Sequence, residues 1–318
     1  MTSPLDAASA APLAVVVRSG FAESEHLGAA VVLGPDGEER LRIGDPDRLV
    51  YPRSALKPFQ TVAALRAGAR FTPEQLVVVT SSHAGTERHI AVVRSVLADA
   101  GLDEQVLRTP ESWPSSPEAA RDRVRAGLGP DRLAMNCSGN HAGMLAGTRA
   151  AGWPVDDYLD PEHPIHALAA LVIAEYGGVR PAHRGVDGCG GPVWAIPLTA
   201  LAEGYRRIVA AHPDLAAAIL AHPDLIEGPG TPTARAVGTV GVVAKAGAEG
   251  VFAAVAPDGT AVAVKVLDGA GRVPAAIAVA LLDRVGAVEP DAAAAYLADE
   301  ALAVTGGGAT VGRIRVLV

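Results

Sequence analysis

The stretch Ser54-Ala55-Leu56-Lys57-Pro58-Phe59-Gln60 follows turn residues and leads into an apolar-periodic segment, which predicts a loop entering a helix. Pro58 has no backbone N–H and is tolerated only in the first helical turn, so Ser54 is expected at or near the helix start. Ser54 and Lys57 are three residues apart and therefore face the same way. A lysine in a partly dry pocket can take the proton of a serine hydroxyl and make it a nucleophile. The alternative interpretation is an N-cap serine beside a solvated lysine.

The composition of the 318-residue chain indicates a globular protein with a sizeable core, since 49% of its residues are hydrophobic and 19% are charged. The net charge of −8 argues against nucleic acid or acidic membranes as partners. No apolar run has the pattern of a signal peptide or a membrane span. We therefore expect a cytoplasmic protein, with residues 1–11 as a flexible N-terminus.

Strand patterns cluster at the two ends of the chain, and helical patterns fill its middle. This distribution predicts an α/β protein whose sheet combines N- and C-terminal strands, with a helical lobe inserted between them. The sheet lobe is expected at about 12–53 and 236–318, and the helical lobe at about 54–235. Together they form a single catalytic unit over 12–318. Within the helical lobe, Leu76–Thr80 has the pattern of a buried strand.

Two cysteines are too few for a disulfide framework in a chain of this length. Both lie in glycine-rich stretches, Cys137-Ser-Gly-Asn and Asp187-Gly-Cys189-Gly-Gly, and not in apolar periods. This placement makes them less typical of core-filling residues.

Several separate stretches match one family in order and number: Gly44-Asp-Pro-Asp47, Pro52-Arg-Ser54-Ala-Leu-Lys57-Pro, Ser82-His83-x-Gly85, Asn136-Cys137-Ser-Gly-x-His141-Ala, Val186-Asp187-Gly-Cys189-Gly and Lys245-Ala-Gly-Ala-Glu249-Gly250. The early segment Arg18-Ser-Gly…Glu23…His26-x-Gly28 fits as well. Together they span roughly Arg18 to Asp268. On these motifs the chain resembles the L-asparaginase II family, the Rhizobium-type enzymes.

The resemblance implies a fold like that of serine β-lactamases and penicillin-binding proteins, which use a Ser-x-x-Lys motif. It also implies hydrolysis of L-asparagine to L-aspartate and ammonia. Ser54 would attack the side-chain amide carbon, and Lys57 would take the Ser54 proton. Ser82, preferred over Ser81, would relay protons in a second serine–lysine pair with Lys265.

The resemblance further implies substrate-binding residues, a metal and a partner. The substrate-binding residues would be Arg18, Arg53, His83, Asp187 and Glu249. A zinc ion would be held by Cys137, Cys189 and a lysine, at whose position this chain has Asn140. A homodimer is expected.

An amide oxygen is a weaker, neutral zinc ligand, so Asn140 leaves several interpretations of the cysteine pair open. His141 or a water could supply the third donor. Otherwise Cys137 and Cys189 are two reduced structural thiols, or a disulfide if the site is oxidised.

Two other functional interpretations remain beside an asparaginase. One is a glutaminase or another serine–lysine amide hydrolase acting on β-lactams or peptides. The other is a non-catalytic relative that binds asparagine, which Asn140 and the altered segment Gly228–Arg235 would favour. A zinc-dependent structural protein fits poorly, because two cysteines cannot complete a four-ligand site.

Overall fold

The structure is a computed structural model that describes residues 3–318. Its strands are, in chain order, β1 Ala11–Arg18, β2 Phe21–Leu33, β3 Glu39–Ile43, β4 Leu49–Val50, β5 His183–Val186, β6 Pro192–Pro197, β7 Val243–Gly247, β8 Val251–Val255, β9 Ala261–Val266, β10 Ala303–Gly306 and β11 Ala309–Val316. The main antiparallel sheet has the order β10-β11-β1-β2-β9-β8-β7, and β3 pairs with β2. A second, three-stranded sheet has the order β4-β6-β5.

The α-helices are α1 Lys57–Arg66, α2 Pro73–Thr80, α3 Glu87–Asp99, α4 Pro117–Arg125, α5 Ser138–Ala150, α6 Pro164–Gly177, α7 Leu198–Ala211, α8 Pro213–Ala221, α9 Pro223–Ile226, α10 Pro232–Arg235, α11 Pro274–Arg284 and α12 Pro290–Leu297. A short 3₁₀ turn, Arg53–Leu56, leads directly into α1. Over residues 3–318, no helix is both long and apolar enough to cross a membrane.

Both ends of the chain contribute to the main sheet, because β1–β3 come from its N-terminal part and β7–β11 from its C-terminal part. Most of the helices come from the sequence between these two groups. The predicted architecture is confirmed: the protein is α/β, with helices inserted between two parts of one sheet.

The centre of the sheet is covered on both faces. Every residue of β8 is buried, and so are five of the six residues of β9. Because successive side chains of a strand point to opposite faces, helices must cover both sides. Helix α7 packs on β2, β8 and β9, and α11 packs on β8, β9 and β11. The side chains in these strands are mainly alanine and valine, as the low aromatic content requires.

Three glycines on one face of α5 let this helix pack closely on α1 and α2. A Cβ atom at Gly143 would lie 2.8 Å from the Val79 Cβ, and one at Gly147 would lie 2.9 Å from the Ala64 Cα. Gly139 approaches the Val78 carbonyl in the same way, at 2.4 Å. Residues four apart share a helix face, so the glycines form one continuous contact. The close packing brings the start of α1, the end of α2 and the start of α5 together.

Gly143→Ala should destabilise the protein. Overpacking against Val79 costs about 1–3 kcal/mol, whereas the better helix propensity of alanine returns about 1 kcal/mol. We therefore expect a net loss of up to about 2 kcal/mol in the free energy of unfolding, measured by urea denaturation. Gly271→Ala is the matched control, because a Cβ there would meet no atom within 4 Å. Equal midpoints for the two variants would contradict the close packing.

The segment Leu76–Thr80 is the end of helix α2, so the predicted strand is wrong. Thr72 caps this helix in a capping box with Gln75, and Pro73 occupies its first turn. A helix that is apolar all round has no 3.6-residue period, and its sequence then looks like that of a buried strand.

The N-terminal segment differs from the flexible tail that the sequence predicted. The Leu5 N–H donates to the Leu49 carbonyl at 3.0 Å, and the Leu49 N–H donates to the Ser3 carbonyl at 3.0 Å. Leu5 is also buried in the core. These contacts hold the described part of the segment against the strand β4. Met1 and Thr2 lie outside the described residues.

Candidate active site

Ser54 lies in the 3₁₀ turn Arg53–Leu56, and not in the first turn of α1. The residue before it, Arg53, has φ +53°, a left-handed conformation that a non-glycine residue rarely adopts. Such a conformation costs on the order of 1–3 kcal/mol and persists only when the surrounding structure enforces it. The turn places Ser54 beside a cavity and one helical turn from Lys57.

Three neighbours hold the Ser54 turn in place. The Tyr205 hydroxyl, on α7, donates to the Ala55 carbonyl at 2.8 Å in a buried environment. Strand β7 contacts the turn through its backbone, since a Cβ at Gly247 would lie 2.1 Å from the Pro52 carbonyl oxygen. The Arg53 side chain donates to Asp187 at 2.7 Å. Glycine is therefore required at position 247 for this approach.

A cavity of about 550 Å³ opens beside Ser54 and brings together several polar groups from distant parts of the sequence. Ser82, Lys245 and Glu227 line this cavity with Ser54. Strand β7 is the edge strand of the main sheet, so one row of its backbone groups has no strand partner. Its end, residues 246–248, lines the cavity.

Lys57 is almost fully buried, with 3% of its surface exposed. Its Nζ donates to the Ser82 hydroxyl at 3.0 Å and to the Ser81 carbonyl at 2.6 Å. Lys57 and Ser54 also line a narrow cleft that adjoins the cavity. The Ser54 hydroxyl makes no hydrogen bond within residues 3–318. Such contacts are often long before substrate binds, so this geometry is compatible with proton transfer to Lys57.

The structure distinguishes the two serines that follow α2. The Ser82 hydroxyl faces the cavity and accepts from Lys57. The Ser81 hydroxyl is buried and donates to the Val78 carbonyl at 2.9 Å, which satisfies a carbonyl at the helix end. Ser82, and not Ser81, is therefore placed to relay a proton.

The second lysine of the cavity is Lys245, on the edge strand β7. It is 1% exposed, and its ammonium donates to Glu227 at 3.2 Å and to the Ala246 carbonyl at 2.6 Å. Burial lowers the pKa of Lys245 from its ordinary value, although Glu227 opposes this shift, and the nearby Lys57 adds to it. A buried lysine of this kind gives up its proton more readily than an exposed one.

Lys265, which the sequence assigned to the second serine–lysine pair, is not brought to Ser82. It lies on β9, two strands inside the edge strand β7, and its ammonium donates to the Glu249 carbonyl. The lysine that shares the cavity with Ser82 is Lys245. The prediction missed this because both lysines lie in strand patterns, and only the strand order shows which strand borders the cavity.

Glu249 forms the turn between β7 and β8, where its φ is +61°. Lys265 holds this strained turn through the Glu249 carbonyl. Glu249 is not among the residues that line the cavity, which is bordered by the preceding residues 246–248. The structure therefore places Glu249 in the turn that shapes the end of β7, and its contact with substrate stays a prediction.

Arg53 and Asp187, two of the predicted substrate-binding residues, do come together beside Ser54. They form an ion pair and line the narrow cleft with Ser54 and Lys57. The Gly188 N–H also donates to Asp187, at 2.7 Å. Both charged groups are partly exposed, so they remain accessible to a polar ligand.

Arg18 and His83, also predicted to bind substrate, lie elsewhere. Arg18 pairs with Glu23 at 3.0 Å at the exposed end of β1, four strands from the edge strand β7. His83 is fully buried, accepts from the Gly85 N–H and contacts the Ser138 hydroxyl at 2.8 Å. Burial lowers the pKa of His83 well below its usual range. The prediction for Arg18 and His83 rested on their places in sequence motifs. Such motifs do not show that the two side chains point away from the cavity.

Cys137 and Cys189 form a small buried cluster with Met135. At the expected third donor, the Asn140 amide nitrogen donates to the Val79 carbonyl at 3.0 Å. The described chain, residues 3–318, contains no group of three or more His, Cys, Asp or Glu side chains able to hold a metal ion. With its nitrogen engaged, Asn140 could offer zinc only its neutral amide oxygen. Zinc binding at this cysteine pair remains what the family resemblance predicts.

His141, the alternative third donor, is fully buried. Its Nδ1 contacts the Tyr158 hydroxyl at 2.8 Å, and its Nε2 has no hydrogen-bond partner in the described chain. Burial, with a smaller effect from Lys57, lowers the pKa of His141 to about 3, so the imidazole is neutral at pH 7. In the described residues, His141 and the two cysteines do not form a three-residue group that could hold a metal ion.

Sequence reasoning missed Lys245, Glu227 and Tyr205 as site residues. The segment Lys245-Ala-Gly247 begins the motif Lys245–Gly250, and it resembles the Lys-Thr-Gly segment of β-lactamases. This likeness is the sequence signal that could have identified Lys245, and not Lys265, as the second lysine of the site. Glu227 and Tyr205 carry no local signal, because only packing brings them to the Ser54 turn and to Lys245.

The family model described as L-asparaginase II matches residues 14–316. A Bacillus glutaminase structure is similar with a TM-score of 0.45, 13% identity, and coverage of 82% of this chain and 91% of that chain. A β-lactamase from Mycobacterium bovis is similar with a TM-score of 0.38, 16% identity, and coverage of 81% and 94%.

A probable glutaminase from Bacillus subtilis, complexed with 6-diazo-5-oxo-L-norleucine, is similar with a TM-score of 0.32, 16% identity, and coverage of 84% of this chain and 86% of that chain. A comparison with curated protein sequences gives no match. The family match extends over nearly the whole chain and includes every residue of the site. The chain therefore belongs to the L-asparaginase II family and is an amidohydrolase.

Proposed function

We propose that this protein hydrolyses L-asparagine to L-aspartate and ammonia through an acyl-enzyme on Ser54. The observation that carries the proposal is the convergence of two serines and two buried lysines: Ser54, Ser82 and Lys245 line one cavity, and Lys57 bonds the Ser82 hydroxyl beside it. The family match adds the amide as the reacting group.

In the first half-reaction, the Ser54 oxygen attacks the side-chain amide carbon of asparagine, and the Ser54 proton passes to the neutral amine of Lys57. The C–N bond then breaks. The leaving nitrogen takes a proton along the route from Lys57 through Ser82, which are 3.0 Å apart. Ammonia leaves, and the aspartyl group remains as an ester on Ser54.

In the second half-reaction, a water molecule attacks the ester carbon and gives its proton to the same lysine. The C–O bond to Ser54 breaks, the Ser54 oxygen recovers a proton, and L-aspartate leaves. The negative charge of each tetrahedral intermediate would be stabilised by the Ser54 N–H and by the open edge of β7. Lys245, with Glu227 as its counter-ion, contributes a second proton carrier beside Ser82.

The charged ends of an amino-acid substrate have complementary groups near Ser54. Glu227 and Glu118 line the cavity and suit an α-ammonium group. Arg53, in the adjoining cleft, suits an α-carboxylate, with Asp187 held next to it. Pro229 and Thr231 of the altered segment also line the cavity, so this segment contributes to substrate selection.

Ammonia release from asparagine, glutamine and a β-lactam, measured in parallel with one enzyme preparation, tests the proposed substrate. We expect asparagine to have the highest kcat/KM. Glutamine differs by one methylene group, which a pocket distinguishes by about 10–200-fold. A higher kcat/KM for glutamine would make the protein a glutaminase with the same mechanism. Binding of asparagine without ammonia release would identify the non-catalytic relative.

The homodimer and the cytoplasmic location stay predictions. Light scattering at micromolar concentration tests the homodimer directly. A monomeric mass would contradict it without affecting the proposed chemistry.

A further inference from the structure

The disagreement between the cysteine pair and the expected zinc site points to another use of the two thiols. Cys137 caps the N-terminus of α5, and Cys189 lies in the tight turn between β5 and β6. They are the only cysteines of the chain. The fold brings them into contact although 52 residues separate them (189 − 137).

The pair is buried but lies beside an accessible space. Cys137 is 5% exposed and Cys189 is 7% exposed. Cys189 also lines the narrow cleft that contains Ser54 and Lys57. A molecule of about the size of water or hydrogen peroxide that enters this cleft would meet the Cys189 side chain.

The surroundings favour chemistry at sulfur over metal binding. Lys57 lines the same narrow cleft as Cys189. At the position of the third metal donor, Asn140 bonds the Val79 carbonyl through its nitrogen and could offer zinc only a neutral amide oxygen, a weak ligand. Two thiols in one buried cluster, with a lysine beside one of them and no strong third donor, are arranged for oxidation to a disulfide.

We propose that Cys137 and Cys189 are a modification site: a dithiol that small peroxides oxidise to an intramolecular disulfide. The Cys189 sulfur, which lines the cleft, attacks one peroxide oxygen, the O–O bond breaks, and one water leaves. The Cys137 sulfur then attacks the resulting sulfenic sulfur, the S–O bond breaks, and a second water leaves. The two thiols lose two protons and two electrons, and the peroxide is reduced.

The disulfide would join the first turn of α5 to the turn that carries Asp187, the partner of Arg53. Because this turn borders the cleft beside Ser54, we expect slower amide hydrolysis in the oxidised protein. This effect on rate rests on the proposed function, whereas disulfide formation does not.

The test uses the full chain, purified without chelator, with its metal content measured first. The protein is treated with hydrogen peroxide, its remaining thiols are alkylated, and peptides are mapped by mass spectrometry. We expect less than about a tenth of an equivalent of zinc. Both thiols should disappear together into a Cys137–Cys189 crosslink, and dithiothreitol should restore both thiols and the rate of ammonia release.

Cys137→Ser and Cys189→Ser are matched controls, expected to fold as judged by circular dichroism and to give no crosslink. Asn140→Lys should add the missing donor, bind zinc and lose the peroxide response. One equivalent of zinc in the wild-type protein, with thiols that react only after chelation, would overturn the proposal. Two thiols that stay free in peroxide would also overturn it. A crosslink without a change in ammonia release would contradict the expected slowing of hydrolysis, but it would still support the disulfide.

Discussion

Ser54→Ala should abolish amide hydrolysis, with a fall in kcat on the order of 10⁴–10⁶-fold, as for nucleophiles that act as part of a unit. Ser54 is the serine in a strained turn beside the cavity, and its hydroxyl has no competing hydrogen bond in the described residues. Its loss removes the ester intermediate altogether. Steady-state ammonia release from saturating asparagine measures the effect.

Lys57→Met should reduce kcat to a similar extent, because it removes the group that accepts the Ser54 proton and holds Ser82. Ser81→Ala is the matched control for this part of the site. The Ser81 hydroxyl only bonds the Val78 carbonyl, so its loss should lower stability and leave most of the activity. If Ser54→Ala keeps more than a small fraction of the wild-type rate, the serine acyl-enzyme is wrong.

Lys245→Met and Lys265→Met should have clearly different effects, although the sequence favoured Lys265. Lys245 shares the cavity with Ser82 and Ser54, so we expect its loss to lower kcat by about 10²–10⁴-fold. Lys265 bonds a backbone carbonyl in the β7–β8 turn. Its loss should mainly lower stability and leave a much smaller defect in kcat.

The measurement compares kcat, KM and the melting temperature of the two single variants with those of the wild-type protein. Groups that act as a unit have non-additive effects. The double variant of Lys57 and Lys245 should therefore be little slower than Lys57→Met alone. A larger loss of kcat in Lys265→Met than in Lys245→Met, at equal stability, would show that Lys265, and not Lys245, acts with Ser82 in proton transfer.

The fold class was predictable because strand and helix patterns are local, and their order along the chain defines the architecture. The helix α2 was not predictable in the same way. Its last five residues, Leu76–Thr80, are all buried, so no polar face marks the helical period. The close contact of α5 with α1 and α2 depends on glycines. These glycines are visible in the sequence, but the residues that they contact are not.

The candidate site was predictable where its residues are neighbours in the sequence. Ser54 and Lys57 share one turn, and Ser82 follows a helix that packs on α1. Lys245 and Lys265 lie in similar strand patterns, and the choice between them depends on strand order, which is a long-range property. The sequence likewise gave no sign that the Asn140 amide would bond the Val79 carbonyl.

Trapping the acyl-enzyme tests the central proposal most directly. Enzyme turning over asparagine is quenched in acid, digested, and its peptides are examined by mass spectrometry. We predict an aspartyl ester on the peptide that contains Ser54, and none in Ser54→Ala. An ester on Ser82, or continued ammonia release with no ester on any serine, would contradict the account.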